Sequence, residues 1–351
     1  MPRLALFKYL SALFIQVFMG TVFRGALNAI KQVGLKSGER VLIIVERANV
    51  SVGRAIEKAC MRKTNKIDFF VLEDFGKRPL VFVPRELLES CRRVDVVFFL
   101  PAHARAGKIN ERFTLRMPLT EIAVKNRARF AAMIGADEEC LKQGMCVDYG
   151  KIRALSKKLF KVVSRAGTIF VSSLEGTFLS VKLSSNLKWV VADGFIGPGQ
   201  WSNLPDGEVF TVPLRVDGVA VINGSMGDVF SKYGSLEKSP VYWVIEDSRV
   251  KSVFCPANKG LEAEFRALLL FDKNANKIGE FALGANFGVR RIIGNLLQDE
   301  KIVGVHLACG NPYPALTGAK WRSGIHCDGV ILKPTVFVGE KLVMKHGKFV
   351  F

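Results

Sequence analysis

Two of the chain's four histidines lie in one segment rich in glycine and proline, HLACGNPYPALTGAKWRSGIHCD, which covers residues 306–328. His306 opens the segment, and Asp328 follows His326 by two positions. Alternate residues of a β-strand project to the same face, so the imidazole of His326 and the carboxylate of Asp328 can reach one metal ion. Such groups are the usual ligands of zinc, cobalt, manganese and iron. On spacing alone a second interpretation also stands, in which the aspartate only caps a turn before Gly329.

Two isolated glutamates each follow a glycine and open a strongly apolar, strand-like run. Glu208 lies in NLPDGEVFTVP and Glu280 in IGEFALGANFGVRR. A carboxylate that enters such a run pays a large desolvation penalty unless it is paired, neutralised or bound to a cation. Two histidines and three carboxylates suit a dinuclear metal site, whereas a glutamate at a solvated strand end needs no metal.

The first half of the chain alternates strand-like and helix-like segments. The runs 37–45, 66–74 and 94–102 are rich in Val, Ile and Phe, and helical patterns occupy 51–63, 84–93, 119–134 and 150–162. Near-continuous apolar strands that alternate with helices indicate a parallel sheet covered on both faces. No GxGxxG follows the first strand, so a dinucleotide site is not expected.

After about residue 165 the pattern changes to short β-rich runs broken by Gly, Asp and Asn, which is typical of antiparallel sheets. One helical stretch, NKGLEAEFRALLLFDKN, interrupts these runs. The sequence therefore predicts an α/β protein with an N-terminal parallel-sheet α/β domain over residues 1–165. A β-rich, α+β, metal-binding catalytic domain is predicted over residues 166–351.

Composition restricts the class of protein further. The formal net charge is +19, and most of it falls in the first 165 residues, but the basic residues are dispersed and lack interleaved aromatics. Nucleic-acid binding is therefore not expected. The seven cysteines never form CxxC, which favours a reducing, cytoplasmic compartment over a disulfide framework. The apolar run 9–23 is too short to span a bilayer and predicts an amphipathic helix, so membrane association is not favoured.

Three segments together resemble a known family. WSNLPDGEVFTVP, GEFALGANFGVRRIIGNLLQDEK and GVHLACGNPYP…SGIHCD resemble, in this order, the signature segments of the metallo-aminopeptidases typified by aminopeptidase T and aminopeptidase S. The resemblance covers about residues 186–338 and is weak before them, where GERVLI is the main similarity.

The resemblance implies a function and a set of site residues. It implies an aminopeptidase that removes N-terminal residues from peptides by means of water activated by two divalent ions, most often zinc, cobalt or manganese. It implies a homodimer whose active sites face an internal cavity. The implied metal ligands are Glu208, Glu280, His306, His326 and Asp328. One of the two glutamates would also accept the proton of the water, and Tyr313 would donate a hydrogen bond to the oxyanion, although its ring can equally pack beside the neighbouring prolines.

Two other functions stay open at this point. A related branch of the fold resembles 2,5-dihydroxypyridine 5,6-dioxygenase, in which two histidines and an aspartate hold one ferrous ion, and His306, His326 and Asp328 can form such a triad. The other alternative is a non-enzymatic protein that binds polyanions through its basic half. The retention of both Glu208 and Glu280 favours the hydrolase.

Overall fold

The computed structural model describes residues 20–102 and 111–351, and the chain divides into two compact units. The first unit comprises the chain up to Tyr149 together with Gly194–Pro205, and the second comprises Gly150–Asp193 and Asp206–Phe351. The division thus falls earlier than the predicted boundary at 165, and a short segment returns to the first unit. The predicted amphipathic helix 9–23 lies largely outside the described residues, although residues 20–32 are helical.

The first unit contains the predicted parallel sheet. Its strands, numbered along the whole chain, are β1 (Val41–Val45), β2 (Ile67–Val71), β3 (Val96–Leu100), β4 (Arg129–Ala132) and β8 (Trp201–Asn203). They lie in the order β2-β1-β3-β4-β8, and every pair is parallel. All residues of β1 and β3 are buried, which explains why their sequences read as unbroken apolar runs.

Among the described residues of this unit, five α-helices accompany the sheet: α1 (20–32), α2 (Val50–Cys60), α3 (Arg85–Cys91), α4 (Met117–Lys125) and α5 (Glu138–Lys142). The side chain of Asp137 caps the last of these by accepting a hydrogen bond from the backbone N–H of Cys140. The predicted helix over 119–134 is wrong in its second half. Residues Arg129–Ala132 form β4 instead, because this buried segment pairs with β3 on one side and with β8 on the other.

The second unit contains two antiparallel sheets. The larger has the order β12-β11-β10-β6-β5-β16-β17-β18. Its strands are β5 (Thr168–Ser172), β6 (Phe178–Lys182), β10 (Arg215–Ile222), β11 (Val241–Glu246), β12 (Arg249–Phe254), β16 (Thr335–Val338), β17 (Lys341–Lys345) and β18 (Lys348–Phe349). The smaller has the order β15-β14-β13-β9-β7. Its strands are β7 (Val190–Ala192), β9 (Glu208–Thr211), β13 (Ile278–Gly284), β14 (Gly304–Gly310) and β15 (His326–Ile331).

Apolar side chains from both sheets form one core in this unit, together with side chains of the helices α6 (Tyr149–Val163) and α7 (Lys259–Leu268). The ring of Trp243 on β11 stacks on that of Phe265 on α7, with centroids 4.9 Å apart. A Cβ at Gly329 on β15 would lie 2.8 Å from both Ile222 and Trp243, so the two sheets approach closely at this glycine. Two one-turn helices, α8 (Leu296–Asp299) and α9 (Pro314–Thr317), complete the unit.

Within the described ranges, none of the helices combines the length and the apolar character that crossing a bilayer requires. The predicted fold class is confirmed: a parallel-sheet α/β region is joined to a β-rich region with antiparallel sheets.

Candidate metal centre

The smaller sheet of the second unit separates acidic and histidine side chains from apolar ones. Ala308 on β14 lies opposite Glu280 on β13 and opposite Asp328 on β15, and directly opposed residues share a face. His306 lies two residues before Ala308, and His326 two before Asp328, so the period of two keeps all four on that face. The same pairing, continued through Ala282 and Phe210, places Glu208 of β9 there as well.

The opposite face of the sheet is apolar. Residues that alternate with the candidate ligands, among them Val209, Phe281, Leu307, Cys309 and Cys327, belong to the core of the unit. Burial raises the pKa of the Cys309 thiol well above its usual value, as expected for an inert core cysteine. One side of each strand therefore stabilises the fold while the other side carries the candidate site.

A β-bulge at Gly279 adjusts the direction of Glu280. Ile278 lies opposite Cys309 and Glu280 lies opposite Ala308, so one extra residue, Gly279, is inserted into β13. The insertion lets Ile278 face the core and Glu280 face the candidate ligands, although they are two residues apart. A Cβ at Gly279 would lie 2.2 Å from the carbonyl oxygen of Gly310, so only glycine fits here without a backbone shift.

Two groups of ligand-capable atoms result, and they share Glu280. In the first, Nε2 of His306 lies 3.2 Å from Oε2 of Glu208 and 3.3 Å from Oε1 of Glu280. In the second, Nε2 of His326 lies 3.7 Å from Oε2 of Glu280 and 3.4 Å from Oδ1 of Asp328. Within each group one ligand atom per residue lies within 4.8 Å of the others.

These separations suit ligands that surround a cation. Tetrahedral ligands 2.0–2.2 Å from a zinc ion are about 3.3–3.6 Å apart, longer than ordinary N–H···O hydrogen bonds. Among the described residues, Nε2 of His306 and Oε2 of Glu208 are buried and have no hydrogen-bond partner, although they are neighbours. Buried polar atoms without partners are costly, and a shared metal ion would satisfy both. The residues present therefore fit a divalent metal.

Hydrogen bonding orients one of the two imidazoles. Nδ1 of His326 lies 2.8 Å from the carbonyl oxygen of Asn311 and, as the N–H tautomer, donates a hydrogen bond to it. Nε2 is then left for the carboxylates and for a metal, an arrangement common among metal-binding histidines.

Three further charged residues join the first group, and none of them was singled out from the sequence. Nζ of Lys301 lies 2.6 Å from Oε1 of Glu208, 2.6 Å from Oε1 of Glu300 and 3.6 Å from Oδ1 of Asp206. Glu300 also forms a third ligand-capable group with His306 and Asp328. The sequence signal for two of them was QDEK (298–301), a polar run between apolar residues that begins in the short helix α8 and ends just after it.

Burial and neighbouring charges shift the pKa values of these groups strongly. Burial alone would raise the pKa of Glu208, but the charges of Lys301 and His306 outweigh it and lower that pKa to about 2. Burial raises the pKa of Glu280, and it raises that of Glu300 to about 8. Burial would lower the pKa of His326, but Asp328 and Glu280 raise it to about 9. Without metal, the imidazoles are thus held protonated by the surrounding carboxylates.

Tyr313 lies beside this cluster. It is half-buried, and its ring centroid is 4.5 Å from that of His326 and 6.3 Å from that of Phe210. Its φ of 49° is in the left-handed region, which a non-glycine residue occupies only when its surroundings hold it there. The structure therefore brings the predicted tyrosine next to the candidate ligands. It likewise collects the five predicted ligands in one cluster, in which four are buried and His326 is half-buried: Glu208, Glu280, His306, His326 and Asp328.

Comparisons with solved structures identify relatives of the fold. The chain is similar to wild-type AmpT from Thermus thermophilus, with 19% identity, a TM-score of 0.67, and coverage of 95% of this chain and 100% of that chain. It is also similar to 2,5-dihydroxypyridine dioxygenase from Pseudomonas putida KT2440, with 16% identity, a TM-score of 0.65, and coverage of 94% and 96%. At these identities the likenesses establish the fold. A comparison with curated proteins gave no significant match.

The sheet and its carboxylate–histidine cluster have the residues of a divalent-metal site. More narrowly, residues 154–324 match the model of the thermophilic metalloprotease family (M29). The match confirms the resemblance and the predicted enzyme class, a metal-dependent peptidase. The matched range includes three of the five candidate ligands, Glu208, Glu280 and His306, and ends before His326 and Asp328.

Proposed function

We propose that the chain is an aminopeptidase that uses two divalent ions to hydrolyse the N-terminal residue from peptides. The observation that carries the proposal is the pair of ligand groups that share Glu280, Glu208–Glu280–His306 and Glu280–His326–Asp328. A carboxylate with one oxygen toward each of two groups is the arrangement expected of a bridging ligand in a two-metal site.

The charge of the buried cluster supports two ions. Within the described part of the chain, the cluster holds five buried carboxyl groups and one buried ammonium group, which belong to Asp206, Glu208, Glu280, Glu300, Asp328 and Lys301. If bound cations keep all five carboxyl groups ionised, Lys301 leaves four negative charges uncompensated, which two divalent cations would neutralise with both histidines neutral. Uncompensated buried charge is strongly unfavourable, so a single ion fits this cluster less well.

The side chains have distinct proposed roles. Bound divalent ions would lower the pKa of a water molecule and polarise the scissile carbonyl. Glu208, His306, His326 and Asp328 would hold the ions, and Glu280, which both ligand groups share, would serve as the common ligand. Of the two glutamates predicted to be catalytic, Glu208 is the poorer proton acceptor because Lys301 and His306 hold its pKa near 2. Tyr313, whose ring packs against His326, would donate a hydrogen bond to the oxyanion.

Metal depletion and repletion test the proposal. Protein freed of metal with a chelator should lose the release of N-terminal residues from unblocked peptides, and Mn²⁺, Co²⁺ or Zn²⁺ should restore it. Peptides with an acetylated N-terminus are the matched control and should not be cleaved. Cleavage of both peptides at equal rates would contradict the aminopeptidase, and absence of cleavage by protein with two bound ions would contradict the peptidase.

The similarity to the dioxygenase fold supports one alternative, a ring-cleaving enzyme with one ferrous ion held by His306, His326 and Asp328. Oxygen-dependent cleavage of a dihydroxypyridine by protein with one iron per chain would favour it. Metal-free protein that binds polyanions in a salt-sensitive manner would favour the non-enzymatic alternative instead. Homodimerisation and a cytoplasmic location remain predictions from the resemblance and the cysteine pattern.

A further inference from the structure

Lys301 is completely enclosed by acidic side chains. Its side chain is 1% exposed, and its ammonium group contacts oxygens of Glu208, Glu300 and Asp206, which belong to side chains no more than 10% exposed. The backbone of Lys301 is fixed as well, because its N–H donates to Gln298 and its carbonyl accepts from Asn286. The ammonium nitrogen thus has a defined place among three carboxylates.

This place has the properties of a cation site. Hard divalent cations bind carboxylate oxygens at about 2.0–2.6 Å, and Nζ of Lys301 already lies 2.6 Å from two such oxygens. The contact gives the two oxygens of Glu208 different neighbours. Its Oε1 binds Lys301, and its Oε2 faces Nε2 of His306 at 3.2 Å without making a hydrogen bond to any described residue.

We propose that the ammonium group of Lys301 fills a third cation position of the centre, so that Glu208 and Glu300 each keep only one oxygen for a metal ion. Lys301 is then a positioning residue: it prevents Glu208 from chelating or bridging through both oxygens and leaves the bridge to Glu280. This inference rests on the metal centre proposed above, and it adds that the number of bound ions is set by a side chain.

The test compares two substitutions by their metal content. Lys301→Ala removes the ammonium group and leaves space among the three carboxylates, whereas Lys301→Met removes the charge and fills the space with an apolar chain. With Mn²⁺ as the probe, equilibrium dialysis and mass spectrometry should find one more ion per chain in Lys301→Ala than in the wild type, and no additional ion in Lys301→Met. The Mn²⁺-dependent rise in melting temperature should also be larger for Lys301→Ala than for the wild type.

A matched control is Lys142→Ala, because Lys142 also lies between two glutamates, with Nζ 3.8 Å from Glu138 and 3.0 Å from Glu139. Those glutamates are 40% and 33% exposed, so water can solvate them and no extra ion should bind. A Lys301→Ala protein with the wild-type number of ions, or one that does not fold even with Mn²⁺, would overturn the inference while leaving the peptidase intact. A wild type that binds no Mn²⁺ would overturn the metal centre and this inference together.

Discussion

The carboxylate of Glu280 places one oxygen 3.3 Å from Nε2 of His306 and the other 3.7 Å from Nε2 of His326. Glu208 and Asp328 each approach one of these imidazoles at comparable distances, so Glu280 connects the two halves of the cluster. At the scale of single residues, the role of Glu280 distinguishes the two proposed mechanisms. The two-metal hydrolase needs this side chain, whereas the one-iron site needs only two histidines and one aspartate.

Glu280→Gln keeps the volume of the side chain and removes its charge. If Glu280 bridges two ions or accepts the proton of the water, turnover of an unblocked peptide should fall by at least about 10²-fold, since the loss of a proton-transfer group typically costs about 10²–10⁴-fold. Steady-state kinetics and metal analysis of the same sample measure this. His306→Ala should be damaging under either metal mechanism and is the positive control. Near-normal activity with full metal content in Glu280→Gln would remove Glu280 from the ligand set.

Metal binding should release protons at neutral pH. In the metal-free protein the pKa of His326 is raised to about 9, so the imidazole is protonated at pH 7 and must lose its proton to bind a metal. The apparent affinity for Mn²⁺ should therefore increase as the pH rises toward 9 and then level off. Titration calorimetry in two buffers of different ionisation enthalpy gives the number of protons released. Release of no protons at pH 7 would contradict a protonated His326 in the metal-free protein.

The raised pKa of His326 also makes the stability of the metal-free protein depend on pH. Because the pKa of His326 in the folded protein lies above its usual value of about 6.5, the protonated imidazole contributes stability below about pH 6.5. This contribution is lost as the pH rises from there through 9. Chemical denaturation of metal-free protein at pH 6 and pH 9 measures it, with metal-loaded protein as the control in which the imidazole is already neutral.

At the scale of elements, the bulge in β13 joins the sheet to the site. Gly279 lets Ile278 pack in the core and Glu280 face the ligands, and it approaches the backbone of Gly310 too closely for any side chain. The strands and their polar residues could be predicted from the sequence, because Glu208 and Glu280 stand at the start of otherwise apolar runs. The bulge could not be predicted, because it depends on the register of β13 against β14, a strand about 25 residues further along the chain.

Gly279→Ala should therefore damage both stability and metal binding. A Cβ 2.2 Å from the carbonyl oxygen of Gly310 forces a backbone shift, and such overpacking costs about 1–3 kcal/mol. The shift should also turn Glu280 and weaken Mn²⁺ binding. Gly167→Ala is a matched control, since a Cβ there meets nothing within 4 Å, and its free energy of unfolding should change by no more than about 0.5 kcal/mol. Denaturant titration and equilibrium dialysis on both variants measure the two effects.

At the scale of the whole molecule, metal and stability should be coupled. Without ions, the buried carboxylates repel one another, and only Lys301 and the two histidines offset them. Removal of metal should therefore lower the melting temperature, and added Mn²⁺ should raise it in a concentration-dependent manner. At 100 times the dissociation constant, one bound ion should add about 2.7 kcal/mol to the free energy of unfolding. Differential scanning calorimetry measures this. A melting temperature that does not respond to metal would contradict a buried metal centre.

The sequence predicted the class of fold and the five candidate ligands but missed the rest of the charged cluster. The ligands lie on strands, where period-two alternation and the resemblance both apply. Glu300, Lys301 and Asp206 lie in turns beside strands, where no periodicity marks which residues point inward. The helix predicted over 119–134 failed at Arg129–Ala132 for a related reason, since apolar alanine-rich segments fit a buried strand as well as a helix.

The charged face of the smaller sheet also restricts the register in which its strands can pair during folding. A slip of one residue in any of β9, β13, β14 or β15 would turn Glu208, Glu280, His306 or Asp328 into the apolar core and turn core residues such as Val209 or Leu307 outward. Burial of an unpaired charge costs several kcal/mol, so each misaligned pairing is penalised before any ion is bound. The candidate metal ligands therefore also favour the native strand alignment during folding.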